Sequence, residues 1–252
     1  MATATGRKQS VRIRGAPPNL FAALQLSVLP DQAISVSLDS PGSAVQKAFE
    51  LAPPVVRLSA VSDVGLSRLH LRLPRSMPPG TYQGTMEIED QTQALVVEVE
   101  PRKRISMYPK RATISGQAGG RADLRLTLIN LGNVPLPVPR AAGFGLFHKQ
   151  GMDLAVGRTF QQKQLRDERR VDRFMEALYE GYGGVVKLRV QKGSGILKPG
   201  ESRDVTIVFQ IPSQVLPGNT YWGLWSIHDY NYKIEIEVLP DDSNEREEDK
   251  AI

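Results

Sequence analysis

Chemistry needs side chains that ionise, coordinate or attack, held at fixed spacing, and this sequence is sparing with them. Three histidines, His70, His148 and His228, lie far apart and in no His-x-His or His-x-x-x-His pattern, so no metal site is expected. Cysteine is absent, which excludes a disulfide framework, a thiolate nucleophile and any cysteine-ligated zinc or iron–sulfur centre. No Gly-x-Gly-x-x-Gly or Walker-type loop is present to cradle phosphate; Gly143-Phe144-Gly145 and Gly193-Ser194-Gly195 are isolated pairs that read as turns. A Gly-x-Ser-x-Gly elbow is also missing. Asp229 and Glu235 read as ordinary hairpin charges rather than as a glycosidase pair. The expectation is a protein with no catalytic residues, no cofactor and no metal.

Binding chemistry is the alternative to catalysis. The net charge is +5, unevenly spread. Arg7, Lys8, Arg12 and Arg14 precede the first acid, Asp31, while Asp241, Asp242, Glu245, Glu247, Glu248 and Asp249 crowd the other end. Residues 1–14 therefore read as a basic arm and 241–252 as an acidic disordered tail. Two more basic clusters, Arg68-His70-Arg72-Arg75 and Arg102-Lys103-Arg104, have no aromatic interleaved in sequence for base stacking. Nucleic acid is not the expected partner; other proteins are, within a multi-subunit complex. No uninterrupted apolar run approaches the length of a membrane-spanning helix. Gln25 and Ser27 break the apolar run Leu20–Leu24, so a signal peptide is not expected and a cytoplasmic location is favoured, with periplasmic or extracellular the alternatives.

The elements that position any binding residue are strands. Leu69, Leu71 and Leu73 alternate with Arg68, His70 and Arg72, and Val205, Ile207 and Phe209 alternate in the same way, the period of a half-buried strand. The segment after the first run recurs after the second. Residues 73–84, Leu-Pro-Arg-Ser-Met-Pro-Pro-Gly-Thr-Tyr-Gln-Gly, return as residues 211–223 with one extra residue beside Asn219. Beyond them Met86 matches Trp225, Ile88 matches Ile227 and Asp90 matches Asp229, and residues 95–101 match 234–240. Short alternating strands broken by Gly and Pro argue for β-sandwiches.

Ile105–Arg111, then Leu124–Pro135, then Leu197–Ser202 and the Pro-Gly-x-x-Tyr unit together resemble bacterial immunoglobulin-like domains. The group includes pilus-chaperone-like, major-sperm-protein-like and α-galactosidase-associated domains. The resemblance implies domains that bind proteins or space other domains. The expected fold is all-β: two tandem immunoglobulin-like β-sandwiches, over residues 15–101 and 102–240, the second with an inserted amphipathic helix.

That insertion is placed at about residues 148–184. Val171, Phe174, Met175 and Leu178 fall on one helical face within a stretch free of Gly and Pro from Gln162 to Glu180, and Gly181-Tyr182-Gly183-Gly184 should end it. The helix either lies over the sandwich or docks a partner. Trp222 has the opposite parity to the apolar row Tyr221, Gly223, Trp225 and Ile227, so it should point outward, with Tyr230 and Tyr232 nearby. Candidate protein-binding residues are therefore Arg166, Arg169, Arg170, Arg173 and Trp222. The expected function is a non-enzymatic structural or adaptor protein. A chaperone-like module capping a client's exposed strand is the first alternative, and a carbohydrate-binding module the second.

Overall fold

The computed structural model describes residues 10–25, 34–39, 54–60, 66–88, 91–160 and 167–240. The chain divides into two compact units. The first comprises Met1–Arg104, Asn130–Leu136 and Lys198–Glu201; the second comprises Ile105–Ile129, Pro137–Leu197 and Ser202–Ile252. The fold is all-β, two immunoglobulin-like sandwiches with a helical insertion in the second.

In the first unit the strands are β1 (Val11–Gly15), β2 (Asn19–Gln25), β3 (Ile34–Leu38), β4 (Val55–Ala60), β5 (Leu66–Arg72), β6 (Gly80–Ile88) and β7 (Gln91–Val99). They run in the order β3-β6-β7-β1-β2-β5-β4. The link between β1 and β2 is a single registered pair, Arg14 with Phe21, whereas β1 runs parallel to β7 over its whole length. The sheet folds over at that weak joint into two layers. Ile13, Leu20, Leu69, Leu71, Met86, Leu95 and Val97, drawn from both layers, form one buried cluster. Residues 11–14 of the expected arm thus belong to a strand, and Arg12 and Arg14 pair with Glu98 at 3.6 Å and Glu100 at 2.7 Å.

The second unit continues with β8 (Ile105–Tyr108), β9 (Ala112–Gly116), β10 (Arg121–Asn130), β11 (Leu136–Val138) and β12 (Ala141–His148). Two helices come next, α1 (Gly151–Phe160) and α2 (Asp167–Glu180), then β13 (Tyr182–Lys192), β14 (Gly195–Leu197), β15 (Ser202–Gln210), β16 (Thr220–Ile227) and β17 (Tyr230–Val238). The main sheet order is β8-β10-β15-β13-β12-β16-β17-β9, and β11 pairs with β14.

The repeat is a repeat of structure. Tyr82 pairs with Val97 and Gly84 with Leu95; Tyr221 pairs with Ile236 and Gly223 with Ile234, the same register in each copy. In both copies the last strand runs parallel to an amino-terminal strand, β7 with β1 and β17 with β9. Each of the two matched tyrosines is buried and bonded to the preceding turn. Tyr82 donates to the Pro78 carbonyl at 2.7 Å, while Tyr221 accepts from the Leu216 N–H at 3.1 Å. Pro78 and Leu216 are equivalent positions; proline has no N–H to give, so the hydroxyl reverses its role.

One core position departs from the expectation. Tyr232 is fully buried opposite Trp225, not displayed beside Trp222, and among the described residues its hydroxyl has no hydrogen-bond partner. Burial, reinforced by the nearby Tyr230, pushes its pKa from 10.0 up to about 12. A folded-state value above the unfolded one means that this group's titration leaves stability unchanged below pH 10 and lowers it as pH rises towards about 12, because the ionised form is excluded from the core. Tyr232→Phe should therefore raise stability by about 1 kcal/mol at neutral pH and flatten the alkaline fall, because an unpaired buried hydroxyl is removed. Urea denaturation at pH 7 and above pH 10 measures both; a loss of stability at pH 7 would contradict the account.

Candidate protein-binding site

The aromatic row on the outer face of the second sandwich is built by a bulge. On β13, Val186, Leu188 and Val190 point inward, which by simple alternation would turn Tyr182 inward as well. The register against β12 shifts instead between Leu146 and Phe147, so that Leu146 faces Gly184 and Phe147 faces Tyr182. Gly183 and Gly184 are both buried, and Tyr182 is returned to the outer face. Glycine is needed at both places. A Cβ at Gly183 would stand 2.7 Å from the Tyr221 ring, and Gly184 has φ +88° with Gln214 Nε2 2.5 Å from a built Cβ. The helix itself ends at Gly181, whose N–H reaches the Leu178 carbonyl at 3.1 Å. Gly183 and Gly184, expected as part of the helix stop, serve the bulge.

Register then aligns three rings on adjacent strands. Phe147 lies between Tyr182 and Trp222, with ring centroids 5.7 Å and 5.8 Å away. Exposed Val185 and Leu224 extend the apolar surface. Lys233 Nζ sits 5.7 Å from the Trp222 ring centroid, a cation–π arrangement. Glu235, opposite Trp222 on β17, lies 2.9 Å from Lys233 Nζ and 3.2 Å from Lys149 Nζ. The hydrogen bond from Lys233, then that from Lys149, holds its carboxyl below the usual carboxylate range.

A mostly apolar cavity of about 300 Å³ opens beside the row, between Phe147, His148, Gly151, Leu178, Gly181 and Trp222. Its roof is the last turn of α2. His148 N–H donates to the Gly181 carbonyl at 2.8 Å, pinning the helix foot to β12. The insertion is a pair of helices rather than one: α2 packs against α1. Phe174 and Leu178 are half-buried, but Val171 and Met175 from the same expected face are 62% and 44% exposed, as is Tyr179 at 73%. The helix is thus not laid flat on the sheet. Nothing in the sequence marked α1, because Gly151, Gly157 and Thr159 weaken its propensity and Leu154-Ala155-Val156 defines no single face.

Trp222 is half-buried in the cavity wall, on the outer face as its parity requires. Arg169 and Arg173 are exposed on α2, Arg173 Nη1 lying 3.2 Å from Glu176 Oε2; Arg170 is half-buried; Arg166 falls outside the described residues. Arg169, Arg170 and Arg173 do not line the cavity. The surface beside Trp222 is made by Phe147, Tyr182 and Leu178 instead. Outward parity was readable for Phe147 from buried Phe144 and Leu146; nothing local announced the bulge that exposes Tyr182. Among the described residues no group of three His, Asp or Glu side chains is placed to hold a metal ion, and no helix is long and apolar enough to cross a membrane.

Fold and site together describe a tandem immunoglobulin-like protein with an aromatic surface on its second sandwich. No family model and no curated protein matches the chain. Among solved structures it is similar to the ASH/PapD-like domain of human CEP192, at 14% identity over 57% of this chain and 94% of that one, with a TM-score of 0.27. It is also similar to the I-band fragment I67–I69 of titin, at 11% identity over 92% of this chain and 62% of that one, TM-score 0.33. Domains 4 and 5 of the S-layer protein SbsC give 14% identity, coverage of 67% and 69%, and a TM-score of 0.25.

Proposed function

We propose that the protein is a non-enzymatic adaptor that docks a protein partner on the outer face of its second sandwich, within a larger assembly. The observation that carries this reading is the contiguous row Tyr182–Phe147–Trp222 beside an open apolar cavity. Contiguous exposed apolar surface on a folded domain marks an interaction site, and aromatic side chains in desolvated pockets dominate binding energy. The cavity takes an apolar anchor side chain of the partner, and Lys149, Lys233 and Glu235 form a polar rim. Arg169 and Arg173 supply a cationic flank on α2.

Affinity purification of the full chain, quantified by mass spectrometry, tests it. Trp222→Ala and Phe147→Ala should each reduce the co-purifying partner at least tenfold, the size of a central aromatic anchor. Both should leave the melting temperature near that of the parent. Unchanged recovery with both variants would remove the adaptor reading of this face. A chaperone-like action, capping a client strand, would instead use a terminal strand of a sheet such as β3 or β4 and be blind to Trp222. A glycan-binding role would show as retention on a glycan affinity gel that Trp222→Ala abolishes.

A further inference from the structure

The outer face of β2, β5 and β4 in the first unit gathers cations around an exposed ring. Leu69 and Leu71 are buried, so Arg68, His70 and Arg72 line up on the outside of β5. The register places His70 between Phe21 on β2 and Arg57 on β4, and Arg72 between Asn19 and Val55. Asn19, Val55, Arg57, His70, Arg72 and Arg75 surround a cavity of about 280 Å³. Among the described residues no carboxylate lines it, and none pairs with Arg57, Arg68, Arg72 or Arg75. On β1 the arginines are neutralised, Arg12 by Glu98 and Arg14, the registered partner of Phe21, by Glu100. In the second copy the positions equivalent to Arg68, His70 and Arg72 are Thr206, Val208 and Gln210, which carry no charge.

An aromatic ring stands among these arginines. Phe21 is 56% exposed and stacks on His70, with centroids 4.8 Å apart and planes 11° from parallel. His70 Nε2 lies 3.2 Å from Asn19 Oδ1, which fixes the imidazole against the phenyl ring. The sequence has no aromatic near Arg68–Arg75; the fold brings one from 49 residues away across a strand pair.

We propose that this face binds single-stranded nucleic acid. Guanidinium groups match phosphate in charge and fork geometry. An unstacked base adds a third layer to the Phe21–His70 stack, the combination of cationic groove and stacking platform that single strands use. A paired duplex hides its base faces, and an acidic peptide satisfies the arginines while leaving the phenyl ring idle. This surface is separate from the aromatic row of the second sandwich, so the two readings stand or fall independently.

The test is fluorescence anisotropy of the full chain with a short labelled oligothymidylate across the range of about 50–200 mM salt. Binding should weaken with salt at a log–log slope of about −2 to −3 for four phosphate contacts on a single strand. Arg57→Gln and Arg72→Gln should each make the slope shallower by about 0.7. Phe21→Ala should weaken binding by about 5- to 100-fold with the slope unchanged, and Phe21→Leu, which keeps the bulk but not the ring, should do the same. Arg125→Gln, exposed on β10 of the second unit, should have no effect. Absence of binding at the lowest salt overturns the proposal, as does binding indifferent to Arg57→Gln and Arg72→Gln. Equal affinity for the matching duplex, or competition by a synthetic peptide of residues 241–252, with Phe21→Ala silent in either case, overturns it too and assigns the face to polyanions or acidic proteins.

Discussion

Gly223→Ala should destabilise the second sandwich by about 3 kcal/mol, and Gly84→Ala should do the same to the first. These glycines occupy equivalent places in the two copies, two residues after the buried tyrosine. Each lies where a neighbouring strand passes too close for a side chain. A Cβ on Gly223 would run into the Phe144 ring and come within 2.6 Å of the Gly145 carbonyl oxygen. On Gly84 it would meet the Ser37 carbonyl oxygen and lie 2.9 Å from the Leu38 Cα. Backbone on both sides of the contact means that no rotamer change relieves it, so the strand pair must separate. For a domain of this size a loss of about 3 kcal/mol lowers the melting temperature by roughly 10 °C or more. Gly157 on α1 is the matched control, since a Cβ there meets nothing within 4 Å. Gly157→Ala should be neutral or stabilising by up to about 1 kcal/mol through helix propensity. Parent-like melting of Gly223→Ala would show that β12 and β16 are not packed as described.

Asn133→Ala should cost the first unit about 3–5 kcal/mol, since each buried polar group left unpaired costs about 1–3 kcal/mol. Asn133 is 2% exposed and belongs to the Asn130–Leu136 segment of that unit. Its Nδ2 donates to the carbonyls of Met77 and Glu100, each at 3.0 Å, and its Oδ1 accepts from the Arg102 N–H at 2.6 Å. Truncation strands three backbone groups at once. Asn133→Asp should not rescue, because a carboxylate cannot donate and would face two carbonyl oxygens. Asn130 supports the same segment, donating to the Val134 carbonyl and accepting from the Gly132 N–H, both at 2.9 Å. Hydrogen exchange at the β5–β7 amides reads the effect in the first unit directly. Protection equal to that of the parent would rule out a structural role for the asparagine side chain.

Trp222 shows how far the sequence reaches into the candidate site. Its outward direction follows from a two-residue period and from the match with Gln83, both visible in the chain. Its neighbours do not follow. Phe147 is 75 residues away and becomes adjacent only through strand pairing, and Tyr182 reaches the row because a one-residue bulge resets the parity of β13. The four arginines in and just before α2 carry charge, the signal a linear reading weighs most. The helix foot instead contributes Leu178 to the cavity.

The amino-acid sequence alone determined the β class, the duplication, the inward faces of the repeated strands and the helical character of residues 167–180. All of these depend on interactions within a few residues or on the period with which apolar side chains recur. Tertiary structure alone decided what is brought together: the aromatic row on the second sandwich, the arginines around Phe21 on the first, and the three bonds made by Asn133. Each is assembled from residues separated by many positions, through register and bulges that no local pattern encodes, because strand pairing is a contact between distant parts of the chain.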